Sequence, residues 1–317
     1  MKKLFKGIGA TVVTLVLSLN VIVAFHAYKF THFYDNKTGA NKKYELMSGW
    51  DEAKALLFGV DYYKAKINSK PGYAYQTFHI KTSDGFLLEG WYIPKDSARG
   101  TVILFHGHGG SRSNIVTEAN AFHNFGYNVC MTDFRAHGKS EGNTCTIGFH
   151  ETADVKATYD YVVSKGEKNI ILYGISLGAA TITKAMTDYP DIHPSKVILE
   201  MPFGSLKDAV KGKLRIMHLP SQPLTDLLIF WGGVEQGFWT YHLAPTQYVK
   251  NIHVPVLLQW GKKDVRVTEP EIDSVYKNIA TTQKHLVIYN RSGHESLLQN
   301  EPEKWLKSIK SFLNKNS

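Results

Sequence analysis

Residues 169–186 of this chain, NIILYGISLGAATITKAM, combine three features in a fixed order. Residues 169–173 form a short apolar run, which is typical of a buried strand. The turn Gly174-Ile175-Ser176-Leu177-Gly178 follows, and residues compatible with a helix come next. Glycines on both sides of the serine permit a tight strand-to-helix turn, which lifts the serine Oγ above the sheet with the helix amino terminus beneath it. The stretch predicts that Ser176 is a nucleophile, with an ordinary βα turn as the alternative.

Short apolar runs recur along the chain from Pro71 onward. Most are separated by stretches long enough for a helix, and Ser83-Asp84-Gly85 between the first two is typical of a hairpin turn. Short strands that alternate with amphipathic helices predict a mostly parallel sheet with helices on both faces. We expect one domain of this α/β type over residues 71–317. Its strands are predicted at residues 75–81, 86–94, 101–105, 127–132, 170–173, 196–199, 254–260 and 285–289.

One of the intervening stretches has a helical period. Phe149, Ala153, Ala157 and Tyr161 are spaced four residues apart, which puts them on a single face of a helix. This face is predicted to be the apolar side of the helix that precedes the strand at residues 170–173.

A second glycine-rich turn, FHGHGGS at residues 105–111, follows the apolar run at residues 101–105. Such a turn can aim backbone N–H groups at a developing negative charge, as an oxyanion hole requires. We expect the backbone N–H groups of His108 and Leu177 to form this hole, and the His108 side chain to line a pocket rather than act as a base. The spacing of His106, His108 and His137 is not that of a familiar metal site, so no metal is predicted.

A serine nucleophile needs a histidine base and a carboxylate that orients the base. Asp264 follows the predicted strand at residues 254–260, and His294 follows the one at residues 285–289. Both side chains are therefore expected just past strand carboxyl ends, where Ser176 is also expected. The alternatives are Glu200 and Asp273 as the acid and His285 as the base.

With these motifs the chain resembles an α/β-hydrolase from residue 75 to its carboxyl terminus, since Ser176, Asp264 and His294 follow the chain order of that superfamily. A further stretch, DFRAHGKSEG at residues 133–142, resembles the D-x-R-G-H-G-x-S turn common in its esterase, serine-aminopeptidase-like and protein-depalmitoylase-like branches. Ala136 replaces the usual glycine of this turn. The resemblance implies that the segment is a structural turn beside the active site.

The resemblance also implies a reaction. It indicates a serine hydrolase that forms an acyl-enzyme on Ser176 and requires no cofactor. A serine at this position, where an aspartate would be needed, disfavours epoxide hydrolase and haloalkane dehalogenase chemistry. We expect a carboxylic ester or thioester with an apolar acyl part as the substrate. A serine peptidase of the aminopeptidase type is the alternative enzyme, and a non-catalytic envelope binding protein is the alternative of another class.

Residues 201–250 interrupt the alternation of strands and helices and contain no good strand. An insertion above the carboxyl ends of the strands is typical of a lid over an apolar pocket. The alternative is that its side chains close the edge of the sheet. Its apolar residues include Phe203, Met217, Leu219, Leu227, Leu228, Ile229, Phe230, Trp231, Phe238, Trp239 and Tyr241.

The amino terminus has the pattern of a membrane segment. Lys2, Lys3 and Lys6 precede an uncharged run at residues 8–25, which spans about 27 Å as a helix, close to the hydrocarbon thickness of a bilayer. The excess of lysine before the run predicts an amino terminus in the cytoplasm and a catalytic domain outside it.

We expect residues 1–27 to be an anchor that is retained in the mature protein. The alternative is a cleaved signal peptide and a secreted enzyme, although Ala24 and Ala27 make a poor cleavage site because they are three residues apart. Residues 28–70 are predicted to be a stalk with one helix near residues 50–58.

The composition excludes several classes of protein. Of the 317 residues, 43% are hydrophobic and 21% are charged, which excludes a disordered chain, a collagen, a coiled coil and a polytopic membrane protein. Four lysines in the first 29 residues account for part of the net charge of +9, and the remaining +5 is too small to indicate a nucleic-acid partner. Cys130 and Cys145 are too few for a disulfide scaffold. The sequence leaves their pairing and the oligomeric state open.

Overall fold

A computed structural model of the chain describes residues 2–35 and 48–315. Its strands form a parallel pair, β1 (Phe33–Tyr34) with β2 (Tyr62–Tyr63), and one larger sheet. The strands of the larger sheet are β3 (Gln76–Lys81), β4 (Leu87–Ile93), β5 (Thr101–Phe105), β6 (Asn128–Thr132), β7 (Ile170–Ile175), β8 (Lys196–Glu200), β9 (Val256–Gly261) and β10 (Lys284–Tyr289). Each coincides with one predicted run, and the ends agree within two residues.

The larger sheet has the strand order β10-β9-β8-β7-β5-β6-β4-β3. Its neighbouring strands run parallel except β3 with β4 and β4 with β6, which confirms the predicted mostly parallel sheet. β5 lies between β6 and β7 in the sheet. The connection from β5 to β6 therefore runs toward one edge of the sheet, and the connection from β7 to β8 runs toward the other edge. Such a switch point leaves a crevice at the carboxyl ends of these strands, where ligands bind in open α/β sheets. Both predicted glycine-rich turns begin at this crevice.

Helices cover both faces of the sheet. Right-handed crossovers put the helix after β5 and the helix after β7 on opposite faces, because the two connections proceed in opposite directions. The helices are α1 (Lys2–Thr31), α2 (Gly49–Phe58), α3 (Val116–Asn124), α4 (Thr152–Ser164), α5 (Leu177–Asp188), α6 (Leu206–Ile216), α7 (Leu224–Gln236), α8 (Pro245–Tyr248), α9 (Glu269–Asn278), α10 (Leu297–Asn300) and α11 (Pro302–Asn314). Every residue of β5, β6 and β8 is buried between these layers.

The predicted face of α4 is only part of its buried side. The helix begins at Thr152, so Phe149 precedes it; Ala153 is buried, and Tyr161 is half-buried and stacks on Phe78. The fully covered side is centred elsewhere, on Asp154, Val155, Thr158, Tyr159 and Val162. The carboxylate of Asp154 accepts hydrogen bonds from the backbone and the guanidinium of Arg135, and this buried pair turns the Asp154 side of the helix inward. A four-residue apolar spacing does not reveal such a pair.

The insertion at residues 201–250 is helical. It contains α6, α7 and α8, and no strand is present among these residues, as the sequence predicts. α6 and α7 pack against each other, and α7 also packs against α1. The role of the insertion as a lid stays a prediction.

The amino-terminal helix continues further than the predicted segment. α1 reaches Thr31, and within Phe5–Thr31 an 18-residue window has a mean hydropathy of 2.3 and is 6% buried, which fits both a membrane anchor and a signal sequence. α2 confirms the helix predicted near residues 50–58.

Part of the predicted stalk packs on the α/β domain. Phe33 is fully buried, and its ring lies 4.5 Å from the ring of His137, centroid to centroid. The backbone N–H of Phe33 donates to the carbonyl of Asn143. Residues 36–47 lie outside the described residues, and the domain boundaries at residues 27 and 70 stay a prediction.

Candidate active site

Ser176 lies between β7 and α5 in a tight turn that requires glycine on both sides of the serine. Its φ is +52°, in the left-handed region that side chains other than glycine rarely adopt. A Cβ on Gly174 would overlap the backbone of Gly178 and Ala179, and a Cβ on Gly178 would overlap the carbonyl of Phe105. Both glycines are therefore required for a turn this tight. The turn leaves the serine half-buried at the end of the strand.

The structure brings Ser176, Asp264 and His294 together at the carboxyl edge of the sheet. His294 Nδ1 donates to Asp264 Oδ2 at 2.6 Å. Because a carboxylate only accepts, Nδ1 carries the proton of the neutral ring and Nε2 is an acceptor. Ser176 Oγ lies 3.0 Å from Nε2, within hydrogen-bond reach for proton transfer. The arrangement can generate a serine nucleophile.

Asp264 is held in one orientation. Its side chain is completely buried, and Oδ1 accepts from the backbone N–H groups of Arg266 at 2.7 Å and Val267 at 2.9 Å. These two bonds leave Oδ2 directed at His294. The loop of His294 is held in turn by Ser296 Oγ, which donates to the carboxylate of Glu118 at 2.5 Å.

The alternative acids and base lie elsewhere. Glu200 Oε1 accepts from Gln259 Nε2 at 2.8 Å and from Trp305 Nε1 at 2.6 Å, and burial raises the pKa of Glu200 to about 8. Glu200 is therefore a neutral member of a buried network. Asp273 is exposed on α9, and His285 lies on β10 beside Lys315.

The predicted oxyanion turn lies against Ser176. A Cβ placed on Gly107 would be 3.6 Å from the Cβ of Ser176. Leu177 opens α5, so its N–H has no intrahelical acceptor. Among the hydrogen bonds of the described residues, neither this N–H nor that of His108 donates to a protein group, whereas Gly109 N–H donates to His137 Nε2 at 3.1 Å. Both predicted donors are thus available to a ligand.

The segment at residues 133–142 holds this turn in place. Four hydrogen bonds join residues 105–112 to this segment: Phe134 N–H to His106 Nε2 at 3.1 Å, Gly109 N–H to His137 Nε2 at 3.1 Å, Arg112 N–H to Asp133 Oδ1 at 2.6 Å, and the Arg112 guanidinium to Asp133 Oδ2. Ala136, which replaces the usual glycine, adopts a φ of +63°. Gly138 has a φ of +52°, and a Cβ there would overlap the carboxylate of Asp133. The geometry fits a structural turn beside the site.

The buried histidines near Ser176 are neutral. Burial lowers the pKa of His106 to about 4 and that of His137 to about 3, and it holds the pKa of His108 well below its usual range. His106 and His137 each donate Nδ1–H to a backbone carbonyl. In the part of the chain that the structure describes, no group of three or more His, Cys, Asp or Glu side chains is arranged to hold a metal ion.

The two cysteines are buried as free thiols. Burial raises the pKa of Cys130 and of Cys145 above the usual range of a thiol. Both groups therefore stay protonated and lack the thiolate character that a nucleophile needs.

An apolar cavity of about 340 Å³ lies beside the oxyanion turn, between α1, α2 and the helices of the insertion. Phe30 and Tyr62 line it, and their rings pack against the His108 ring at centroid distances of 4.9 and 5.3 Å. The His108 side chain thus borders the cavity. From the insertion the cavity is lined by Leu206, Val210, Leu214, Leu224, Leu228 and Ile229, among others.

The sequence did not predict the residues that pack on His108. Phe30, Phe33 and Tyr62 come from a region without a clean hydrophobic period, so no pattern marked them. Asp133 and Arg135 could have been noticed in the sequence, because they belong to the motif at residues 133–142. A buried arginine in such a motif indicates a buried carboxylate partner, although not which one.

The sheet, its switch point and the strained serine turn define an α/β-hydrolase. The chain belongs to the α/β-hydrolase superfamily and is an enzyme of that superfamily. Residues 96–233 match the family described as serine aminopeptidase, S33. Among solved structures, the esterase Pf2001 of Pyrococcus furiosus is 25% identical, with a TM-score of 0.65, over 79% of this chain and 97% of that chain.

Two relatives are similar over most of their length. Caffeoylshikimate esterase of Arabidopsis thaliana is 26% identical over 269 residues, which cover 71% of this chain and 80% of the relative. The uncharacterized protein YqkD of Bacillus subtilis (strain 168) is 25% identical over 228 residues, which cover 68% of this chain and 75% of the relative.

Proposed function

We propose that the protein is a serine hydrolase that cleaves a carboxylic ester or thioester through an acyl-enzyme on Ser176. The observation that carries the proposal is the hydrogen-bonded series from Ser176 Oγ through His294 to the buried carboxylate of Asp264. The similarity to two proteins named as esterases supports the substrate class.

The first half of the reaction forms the acyl-enzyme. Ser176 Oγ attacks the acyl carbon while His294 Nε2 takes the hydroxyl proton, and Asp264 stabilises the imidazolium that results. When the tetrahedral intermediate collapses, the bond to the leaving oxygen or sulfur breaks and His294 returns its proton to that atom. A water molecule then attacks the ester on Ser176 by the same roles, which releases the acid and restores the serine.

Two backbone donors stabilise the charge that develops on the acyl oxygen. In this proposal they are the N–H groups of His108 and Leu177, since both lie beside Ser176 and donate to no protein group in the described residues. One oxyanion-hole donor typically contributes about 10²–10³ in kcat. The hydrogen bond from Gly109 N–H to His137 positions the turn that carries the first of them.

The cavity favours an apolar acyl group. Among the described residues that line it, leucine, isoleucine, valine and phenylalanine predominate and no aspartate or glutamate is present. The insertion at residues 201–250 supplies many of these side chains and in this proposal acts as the lid. Transfer of an apolar acyl chain from water into this cavity therefore lowers the free energy of the complex.

A serine aminopeptidase is the second candidate, because the family matched by residues 96–233 carries that description. Such an enzyme must bind the positively charged amino terminus of a peptide, for which a carboxylate is the usual partner. The cavity walls, within the described residues, have no carboxylate and instead include Lys29 and Lys213. This lining favours the esterase.

A substrate screen decides between the two candidates. The full chain is assayed against p-nitrophenyl esters of graded acyl length and against aminoacyl anilides, with Ser176→Ala as the control. We expect turnover of the esters that requires Ser176 and little turnover of the anilides. A clear preference for the anilides would replace the esterase proposal with the peptidase.

We also propose that residues 1–27 anchor the enzyme in a membrane, that residues 28–70 connect the anchor to the hydrolase domain at residues 71–317, and that this domain lies outside the cytoplasm. The apolar helix Phe5–Thr31 and the lysines that precede it support this arrangement.

A further inference from the structure

We propose that the carboxyl-terminal half of α1 is a wall of the acyl-binding cavity, so that the membrane anchor also selects long acyl chains of lipids that reside in the bilayer. This inference rests on the proposed hydrolase function and names its substrate class. It assigns to α1 a role that anchoring alone does not require.

The burial pattern of α1 points to this role. Among its described side chains only Val23, Ala27 and Thr31 are buried, at 3%, 4% and 7% exposure, and the others are half-buried or exposed. A spacing of four residues puts the three on one face of the helix. All three line the cavity, as do residues of α6 and α7. The face of α1 that is covered is therefore the face that closes the cavity.

Specific hydrogen bonds hold α1 in this position. Trp231 Nε1 on α7 donates to Asn20 Oδ1 at 3.1 Å, and Gln236 Nε2 donates to Thr31 Oγ1 at 3.0 Å. Asn20 is a polar residue within the uncharged run at residues 8–25, where an unpaired amide is costly. These bonds fix the rotation and the height of α1 against the insertion.

Exposed apolar side chains are concentrated on the elements around the cavity. Single exposed apolar residues are ordinary on a soluble surface, whereas a concentration of them indicates a binding surface. Aromatic side chains are moreover typical of the interface between membrane and water. Beyond α1, the exposed large side chains of these elements are Trp50, Leu56, Leu57 and Phe58 of α2, Phe230 and Val234 of α7, and Trp239 and Tyr241, which follow α7. In this proposal these exposed side chains contact the bilayer that α1 enters.

The cavity approaches the reacting groups at one edge, and Ser176, Asp264 and His294 themselves do not line it. Phe30 and Tyr62 line the cavity and also pack on the ring of His108, whose N–H is a proposed oxyanion donor. In this proposal an acyl chain that extends along α1 passes these rings, so that its carbonyl end reaches Ser176. Such a chain lies at the level of the outer half of the bilayer, from which a lipid ester enters without crossing water.

Two substitutions narrow the cavity from different helices. Val23→Phe adds volume on α1, and Gly232→Leu adds it on α7, where a Cβ would meet no atom within 4 Å. Val21→Phe is the matched control, because Val21 is on the same helix, is 70% exposed and does not line the cavity.

The experiment measures the ratio of kcat/KM for p-nitrophenyl dodecanoate to that for p-nitrophenyl acetate. The full chain is reconstituted in nanodiscs of phosphatidylcholine and phosphatidylglycerol, and the ratio cancels differences in the amount of folded enzyme. We expect Val23→Phe and Gly232→Leu to lower this ratio about 10-fold or more, and Val21→Phe to leave it within about twofold.

Equal ratios for Val23→Phe and Val21→Phe, in an enzyme that hydrolyses both esters, would overturn the role of α1 and leave the proposed hydrolase intact. A wild-type chain that hydrolyses neither ester and does not react with a fluorophosphonate would remove the hydrolase proposal, and this inference with it.

Discussion

Ser176 holds a backbone conformation that the surrounding residues enforce. A non-glycine residue at a φ of +52° is strained, and such strain persists only where neighbouring structure over-determines it. The neighbouring structure that enforces the strain is the close packing of the turn, since Gly174 and Gly178 each occupy a space where a Cβ would overlap backbone. The strain lifts Oγ to within 3.0 Å of His294 Nε2. A residue that serves only to connect β7 and α5 would not need it.

At the residue scale the assignment of the acid is testable. Asp264→Asn is expected to lower kcat about 10⁴-fold, because the amide no longer fixes the tautomer of His294 or stabilises its cation. Glu200→Gln is expected to cost less than about 10-fold in kcat, since Glu200 is already neutral and bonded to Trp305 and Gln259. Steady-state kinetics on the best ester gives both values.

A reversed order, with Glu200→Gln far more damaging than Asp264→Asn, would show that the acid is Glu200. Circular dichroism of both variants is the control, because each substitution lies in or beside the core. Asp264→Ala extends the series by removing the carboxylate altogether.

The candidate triad was predictable because each member lies within the first five residues after a strand. In a parallel sheet the carboxyl ends meet at one edge, so residues far apart in sequence become neighbours. The roles of the buried polar groups were not predictable in this way. Glu200 is the last residue of β8, and only its bonds to Gln259 and to Trp305, which lies 105 positions further along the chain, identify it as structural.

At the element scale the segment at residues 133–142 determines the position of the oxyanion turn. Gly138→Ala is expected to lower the free energy of unfolding by at least about 2 kcal/mol, because the new Cβ is strained at positive φ and displaces the carboxylate of Asp133. The Asp133 carboxylate also accepts a hydrogen bond from Arg112 N–H, which helps to hold the oxyanion turn in place. We therefore expect Gly138→Ala to lower the rate of ester turnover as well. Urea denaturation and ester kinetics measure the two effects.

Ala136→Gly is the matched comparison within the same segment. Relief of the left-handed strain at a φ of +63° favours glycine, whereas the lost buried methyl and the larger backbone entropy of the unfolded chain oppose it. We expect the free energy of unfolding to change by less than about 1 kcal/mol. A larger loss for Ala136→Gly than for Gly138→Ala would contradict this account of the turn.

Elements with a strong local pattern were predicted well, and those fixed by distant contacts were not. The eight strands of the main sheet are continuous or alternating apolar runs, and each was located within two residues. β1 and β2 have two residues each, too few to show a period, and they pair only because α1 brings Phe33 to the domain. The buried face of α4 depends on the pair between Arg135 and Asp154, which spacing alone does not show.

For the whole molecule the central question is whether α1 is retained. Three α1 side chains are buried against the hydrolase domain, and Trp231 and Gln236 of α7 bond to it. Removal of residues 1–27 would open the cavity, expose the surface that Val23 and Ala27 cover, and leave Trp231 Nε1 without its acceptor on Asn20. We therefore expect the mature protein in the membrane fraction to keep α1, as intact mass and amino-terminal sequencing will determine. A mature amino terminus near Tyr28 would contradict the anchor and favour a secreted enzyme.

The central claim concerns Ser176, and one measurement tests it most directly. The full chain in mild detergent is treated with a fluorophosphonate, and the modified peptide is identified by mass spectrometry. We predict a single adduct on Ser176, which is lost in Ser176→Ala and forms far more slowly in His294→Ala, because the histidine removes the proton of the attacking hydroxyl. A folded chain that is not labelled, or is labelled on another serine, would contradict the account.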